Sequence, residues 1–411
     1  MSPASTVMMV ARIAGAVDEQ RLQQAFSAVC SMHPLLMARV IFDQRHEAYF
    51  SSEGVLPAGI QVVPRGSESQ WLDLLADEAR IPFDLERGPL IRCLLLQSEN
   101  ISELLVLCNH SICDGMALAG LIRDLLSRYA DMDQENRSLP PPDLMDFLHP
   151  RPTLRGLVAR GLTALANRKW RRRPYHFGSD DYAALYRAYW RDRRAGVVLL
   201  EFDTEASGRL LASCREHSVT VGSAVSTACL LAHADVTGGF AKPQRKIFVP
   251  FDLRRRAVPP TGDVFCFCNG GITFPIKYSS KRTFWENARE MNGTIQTLVD
   301  RHAMIRPDIP SIEPSLIDAL SAFAPFAKRV PAAFGATATL QRFIGDTQNV
   351  SFSWIRSLEK KTPGLASSNL GRIEMPASTD GLRVERLVFL PSASEGGPLV
   401  LGGVSAGDRI V

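Results

Sequence analysis

Leu104-Leu105-Val106-Leu107-Cys108-Asn109-His110-Ser111-Ile112-Cys113-Asp114-Gly115 opens with five consecutive apolar residues, takes a polar step at Asn109-His110 and turns at Asp114-Gly115. Directly behind it Leu118, Leu121, Ile122, Leu125, Leu126 and Tyr129 recur at the spacing of an amphipathic helix. The stretch reads as a buried strand that ends on a histidine, turns on a glycine and enters a helix. Imidazole has an ordinary pKa near neutrality, so it can accept and return a proton within one turnover. A lone histidine ending an apolar strand is ordinarily structural; the Asp-Gly four residues on moves the reading of His110 toward chemistry. Asp114 either pairs with His110 or turns away into an ion pair that holds the loop. Gly115 fits a backbone that needs positive φ or a close approach. The strongest ion-pair candidate is Arg254, in Ile247-Phe-Val-Pro-Phe-Asp-Leu-Arg254, but Arg255 and Arg256 stand beside it and which of the three turns inward is open.

The first third alternates strands and helices. Ser5 to Ile13 reads as a strand. Asp18 reads as the cap of a helix carrying Leu22, Ala25, Phe26 and Val29, which Pro34 stops. Leu35 to Phe42 reads as a second strand, Trp71 to Arg80 as a helix, and Pro89 to Gln97 as a strand feeding the one that presents His110. This is the pattern of an α/β layer fold. From Asp131 to about Tyr186 the texture changes. Leu139-Pro-Pro-Pro-Asp143 is a turn or linker, and Leu154 to Trp170 is helical, running into Arg168-Lys-Trp-Arg-Arg-Arg173. Arg171, Arg172 and Arg173 suit the phosphates of a nucleotide-bearing co-substrate or an acidic partner, or else form a solvated helix end with cations near its C-terminus.

The remainder repeats the texture. Val197 to Phe202, Lys246 to Phe251, Phe265 to Ile276, Val350 to Trp354, Arg383 to Leu390 and Pro398 to Gly403 read as strands. Thr204 to Glu216 and Gly222 to Ala234 read as helices, Thr283-Phe-Trp-Glu286 as a capping box, and Ile305 to Phe343 as a proline-punctuated helical region. The expected division is an N-terminal domain, residues 1–185, which carries the histidine motif and a linker helix 154–173, and a C-terminal domain, residues 186–411.

At 411 residues the chain is long enough for two cores. Its 47 basic and 43 acidic residues give a net charge of +4, too small to argue for nucleic acid. Val219 to Val236, the nearest approach to a spanning segment, is interrupted by polar residues and reads as a buried helix; no transmembrane segment and no secretory signal are expected. Eight scattered cysteines make no Cys-x-x-Cys pair. Cys266 and Cys268 read as core thiols on one strand face rather than a metal pair, so no metal is expected, and a reducing cytoplasmic compartment fits.

Asn109-His110-Ser-Ile-Cys-Asp114-Gly115 resembles the His-His-x-x-x-Asp-Gly motif of a large acyltransferase superfamily. It includes nonribosomal-peptide condensation domains, polyketide-associated acyltransferases, alcohol O-acetyltransferases, BAHD enzymes and chloramphenicol acetyltransferase. Cys30-Ser-Met-His33-Pro34-Leu-Leu-Met-Ala-Arg39 is similar to the family's Arg-His-Pro-x-Leu-Arg segment, and Val249-Pro-Phe-Asp-Leu-Arg254 to its Val-Pro-x-Asp-Leu-Arg. Gly262-Asp-Val-Phe-Cys-Phe-Cys-Asn269 and Ser367-Ser-Asn369-Leu-Gly371 resemble two further segments, in family order. Asn109 stands where the family has its first histidine, Ser-Asn-Leu-Gly stands where BAHD enzymes have Asp-Phe-Gly-Trp-Gly, and the usual leading segment and final helix look short or missing.

The resemblance implies an α/β fold of two chloramphenicol-acetyltransferase-like sandwich domains forming a V, with His110 midway along a tunnel between them. It implies His110 as general base and Asp114 as structural, tied to Arg254, with Gly115 as the hinge. Asn109, Ser368 and Asn369 are candidate substrate contacts. The implied reaction moves an acyl group from a thioester, on coenzyme A or on the phosphopantetheine of an acyl carrier protein, to the hydroxyl or amine of a small-molecule acceptor in polyketide, lipid or other secondary metabolism. No permanently bound cofactor is needed, and a monomer is expected. The alternatives are an amide-forming condensation domain on carrier-bound substrates and a non-catalytic carrier-binding domain of the same fold.

Overall fold

The computed structural model describes residues 5–44, 48–135, 137–142, 154–192, 196–256, 260–302, 312–327, 336–359, 363–376, 380–391 and 399–411. Among them, the N-terminal half supplies strands β1 (Thr6–Ala14), β2 (Arg39–Phe42), β3 (Ala48–Ser51), β4 (Ile60–Pro64), β5 (Ile91–Gln97) and β6 (Ile101–Asn109). The C-terminal half supplies β7 (Lys246–Asp252), β8 (Asn269–Pro275), β9 (Leu365–Ile373), β10 (Arg383–Leu390), β11 (Leu399–Ala406) and β12 (Arg409–Ile410). Two five-stranded mixed sheets result, in the orders β10-β1-β6-β5-β4 and β12-β11-β9-β7-β8, beside a β2-β3 hairpin. The protein is a two-lobed α/β structure. β10 crosses the division at residue 185: it pairs antiparallel along β1 and closes the edge of the N-terminal sheet.

The position of β6 explains its composition. Leu104, Val106 and Cys108 face the core under helices α1 (Glu19–Met32) and α3 (Gly115–Ala130), while Leu105 and Leu107 face a second core under α2 (Gln70–Glu78). A strand covered on both faces reads as an unbroken apolar run rather than an alternation. The cap of α1 is Asp18, whose side chain accepts from the Arg21 N–H. Leu253, Phe265, Cys266, Ile373 and Val404 from the C-terminal half pack into the same core as α1 and α3, so the lobes share one interior.

A third core is helical. Helices α4 (Leu154–Arg171) and α5 (Ser179–Asp192) pack through Ala166, Trp170, Ala184, Leu185 and Tyr189 on the helical segments Pro314–Asp318 and Ala338–Gly345. Helices α6 (Thr204–Glu216), α7 (Val221–Thr237) and α8 (Phe284–His302) cover the second lobe, α8 opened by the reciprocal Thr283–Glu286 capping box. No single helix among the described residues is long and apolar enough to cross a membrane.

Four local expectations are corrected. Val350–Glu359 is a helix, because Asn349 Oδ1 accepts from the Ser351 N–H at 3.0 Å and Phe352 stacks on Phe343 in the helical core. Residues 197–202 make only a single bridge, Phe202 to Ile410, since the edge strand they meet, β12, is only two residues long. Leu35 lies in a 3-10 turn begun by Pro34, and the strand starts at Arg39. Residues 265–268 leave the strand pattern, with Phe265, Cys266 and Cys268 in the core and Phe267 exposed; β8 begins at Asn269. Of the expected helical region 305–343, residues 305–311 and 328–335 lie outside those described.

Gly115 sits at a close approach of helix and sheet. A Cβ there would sit 2.6 Å from the ring of Phe389 on β10 and 2.8 Å from Leu370 on β9. The helix entrance therefore presses on strands that arrive more than two hundred residues later, and the requirement is close approach, not positive φ. Gly115→Ala should lower stability by about 1–3 kcal/mol through overpacking, measurable by urea unfolding; an unchanged midpoint would mean the contact yields freely.

Candidate active site

His110 follows the last residue of β6. Its backbone N–H donates to the Ser5 carbonyl at 2.7 Å, which fixes the chain as it leaves the sheet. Its ring Nδ1 lies 2.7 Å from the Cys113 carbonyl. A carbonyl can only accept, so Nδ1 carries the proton and the neutral ring keeps its lone pair on Nε2. The ring is half-buried, with Phe267 packed edge-on at 5.2 Å between centroids. The side chain is thus oriented by backbone and by an aromatic neighbour, and neither role requires a carboxylate.

Asp114 points elsewhere. It is the cap of α3, its Oδ1 accepting from the Ala117 N–H at 2.9 Å. Arg254 grips both its oxygens, Nη1 to Oδ2 and Nη2 to Oδ1, each at 3.0 Å, and the Cys268 N–H donates to Oδ2 at 2.8 Å. Arg254 in turn donates to Asp252 Oδ1 at 2.9 Å and to the Cys266 carbonyl at 2.7 Å. Both members are buried, at 2% and 6% exposure. Burial by itself would depress the arginine, but the charge and hydrogen bonds of Asp114, with the bond to Asp252, together outweigh it and hold the guanidinium above its usual range. Of the three neighbouring arginines, Arg254 turns inward and Arg255 is exposed; the side chain of Arg256 lies outside those described.

The remaining candidates divide. Asn109 is buried and its Oδ1 accepts from the Ser111 N–H at 3.0 Å, so it braces the turn. Ser368 and Asn369 lie on β9, in a strand and not a free turn, and both line a cavity of about 260 Å³ between the lobes. Asn369 fills the gap left by Gly222 and Gly403, whose added Cβ atoms would come within 3.1 Å and 3.2 Å of its amide. His110 does not line that cavity, but it stands one rung away. Thr6 is part of the wall, Thr6 pairs with Asn109 across the sheet, and the preceding Ser5 holds the His110 N–H. The structure does not bring the basic cluster to this place: Arg171 pairs with Glu313 at the helical core, Arg172 and Arg173 are exposed, and none lines the cavity.

The Cys113 carbonyl, Phe267 and the Cys268 amide were not among the sequence candidates, because backbone groups and an apolar ring carry no motif of their own. The thiols near His110 are buried. Burial pushes Cys113 well above its usual value, and Cys268 is also raised by donating to Cys266, which is correspondingly lowered but buried.

Asp114→Asn keeps the cap but removes the charge opposite Arg254, and should cost about 3–5 kcal/mol of stability. Adding Arg254→Met to it should recover part of that loss, because no buried charge is then left unpaired. Simple additivity of the two losses in urea unfolding would contradict the pairing.

Residues 2–149 match the family model of the condensation domain, and residues 191–308 that of the phthiocerol/phthiodiolone dimycocerosyl transferase C-terminus. Over 266 residues the chain is 23% identical to the phthiocerol/phthiodiolone dimycocerosyl transferase of Mycobacterium bovis (strain BCG / Pasteur 1173P2), covering 61% of this chain and 59% of that one. The chain spans less than two thirds of the length of this and the other curated relatives it matches. Its fold superposes on polyketide synthase associated protein 5 from Mycobacterium tuberculosis with a TM-score of 0.54 at 16% identity, over 98% of this chain and 88% of that one. On the first condensation domain of the CDA synthetase the TM-score is 0.57 at 13% identity, over 100% and 85%. Both likenesses place the two lobes in one architecture. The two family models lie in order along the chain, with its single His-x-x-x-Asp-Gly turn in the first, so the chain is similar in its first part to the condensation domains and in its second to the dimycocerosyl transferases.

Proposed function

We propose that the protein transfers an acyl group from a thioester to a hydroxyl or amine acceptor, with His110 as general base. The observation that carries this is the Nδ1–H bond to the Cys113 carbonyl, which leaves Nε2 free to take a proton. In the proposed step the acceptor O–H or N–H gives its proton to Nε2 as the oxygen or nitrogen attacks the thioester carbonyl. A new C–O or C–N bond forms, the tetrahedral intermediate collapses, and the C–S bond breaks. The departing thiolate takes the proton back from the imidazolium. No acyl-enzyme is required. The donor is read as coenzyme A or a carrier-protein phosphopantetheine thioester, and the acceptor as a small molecule of polyketide, lipid or related secondary metabolism. Arg171, Arg172 and Arg173 receive no part in the transfer.

The mainly apolar cavity beside Thr6 supports an apolar chain on one of the two substrates, since such pockets take chains and leave few polar anchors. Val225 on α7 and Ala79 just beyond α2 both line it. The amide-forming alternative rests on the condensation-domain match over residues 2–149. In that case the same proton transfer serves an amine held on a second carrier.

His110→Ala should lower kcat by roughly two to four orders of magnitude without moving the unfolding midpoint. The assay follows release of free thiol from acyl-coenzyme A and acyl-carrier thioesters against a panel of alcohols and amines. Near-native turnover by the variant would rule out the base; thiol release only with amines would favour condensation; no release with any pair would favour a binding domain. Val225→Phe should shift the preferred chain to shorter members, and whether the thioester's or the acceptor's KM responds tells which substrate the cavity holds. Unchanged preference for both would separate the cavity from the reaction.

A further inference from the structure

Between residues 147 and 179 the chain carries seven arginines, one lysine and no acidic residue. Helix α4 lies inside this stretch. It meets the rest of the protein through Thr163, Ala166, Asn167 and Trp170, all buried at helical spacing, and the Trp170 indole donates to Ser315 Oγ at 2.9 Å. A second set, Val158, Leu162 and Leu165, follows the i, i+4, i+7 spacing on an adjoining side and is 60%, 60% and 50% exposed. The apolar side of α4 is therefore wider than the strip the described protein covers.

The charges continue that uncovered strip. Lys169 falls four residues beyond Leu165, in line with it, beside Arg168, and Arg172 and Arg173 follow directly after the last helical residue, Arg171. All four are exposed and make no ion pair among the described residues; Arg171, by contrast, is matched by Glu313. A nucleotide or a lone phosphate would use the cations but would leave three large aliphatic side chains in water. An anionic lipid surface uses both, burying the aliphatic strip at the headgroup boundary while lysine and arginine meet the phosphates.

We propose that α4 is an interfacial helix by which the protein docks on anionic membranes, with Val158, Leu162 and Leu165 inserted and Arg168, Lys169, Arg172 and Arg173 on lipid phosphates. This docking does not depend on the acyl-transfer reading. It would place the protein where long-chain substrates partition.

The test is co-sedimentation of the full chain with vesicles of phosphatidylcholine alone and of a phosphatidylcholine–phosphatidylglycerol mixture. Binding is expected to the mixture only, weakening as salt rises. Leu162→Ser/Leu165→Ser and Arg168→Glu/Lys169→Glu should each reduce partitioning at least about tenfold. The leucine variant should keep the wild-type unfolding midpoint and thiol release from a water-soluble thioester. Absence of binding to the mixture, or undiminished binding by both variants, would overturn the proposal. So would a lowered midpoint in the leucine variant, which would show the strip to be covered in the folded chain. Capture of an acidic acyl carrier protein on the same strip without vesicle binding would overturn it in favour of a protein partner.

Discussion

The carboxylate of Asp114 accepts four hydrogen bonds, from both arms of Arg254 and from the backbone N–H groups of Ala117 and Cys268. Those donors come from the start of α3, from just beyond β7 and from the segment before β8, so one buried group ties three pieces of chain from both halves. Its cost of burial is offset only because every donor is in place. A carboxylate so fully engaged cannot also orient an imidazole. The two tasks are separated by the turn itself: Asp114 holds the lobes, and the Cys113 carbonyl one residue earlier sets the tautomer of His110. Phe267, between the two cysteines at this junction, lets the same segment that binds Asp114 also touch the His110 ring.

How much of this is legible in the sequence depends on where the determining contact lies. The strand–turn–helix from residue 101 to 130 is plain because both faces of β6 are covered and α3 is strongly periodic. Arg254 is legible as the strongest of three neighbouring arginines and as the one the resemblance points to, while Asp252 and the Cys266 carbonyl, which it meets in the fold, are a tertiary matter. Val-Ser-Phe-Ser-Trp at 350–354 alternates like a strand, yet Asn349 and the aromatic cluster around Phe343 make it helical. The tautomer of His110 is decided by a backbone oxygen, which leaves no signature in residue type. Ser368 and Asn369 look like a turn when only Ser-Asn-Leu-Gly is in view, because the parallel partners β7 and β11 are remote in sequence.

The two candidate surfaces are built by opposite means. At His110, position is over-determined: carbonyl, amide and ring all constrain one side chain. At α4 the helix is anchored on one side only, and what distinguishes it is an excess of apolar and cationic side chains beyond what its own packing uses. The first arrangement suits a proton transfer that tolerates little misplacement. The second suits attachment to a surface that is itself fluid.

β10 carries a further consequence. Because Arg383–Leu390 forms the edge of a sheet otherwise built before residue 110, the N-terminal half without β10 would expose Met8–Ala14 of β1 as an unpaired, largely apolar edge. Such an edge recruits other strands. During synthesis the first lobe must therefore wait, incomplete, until β10 has left the ribosome, more than two hundred and seventy residues after the other strands of its sheet.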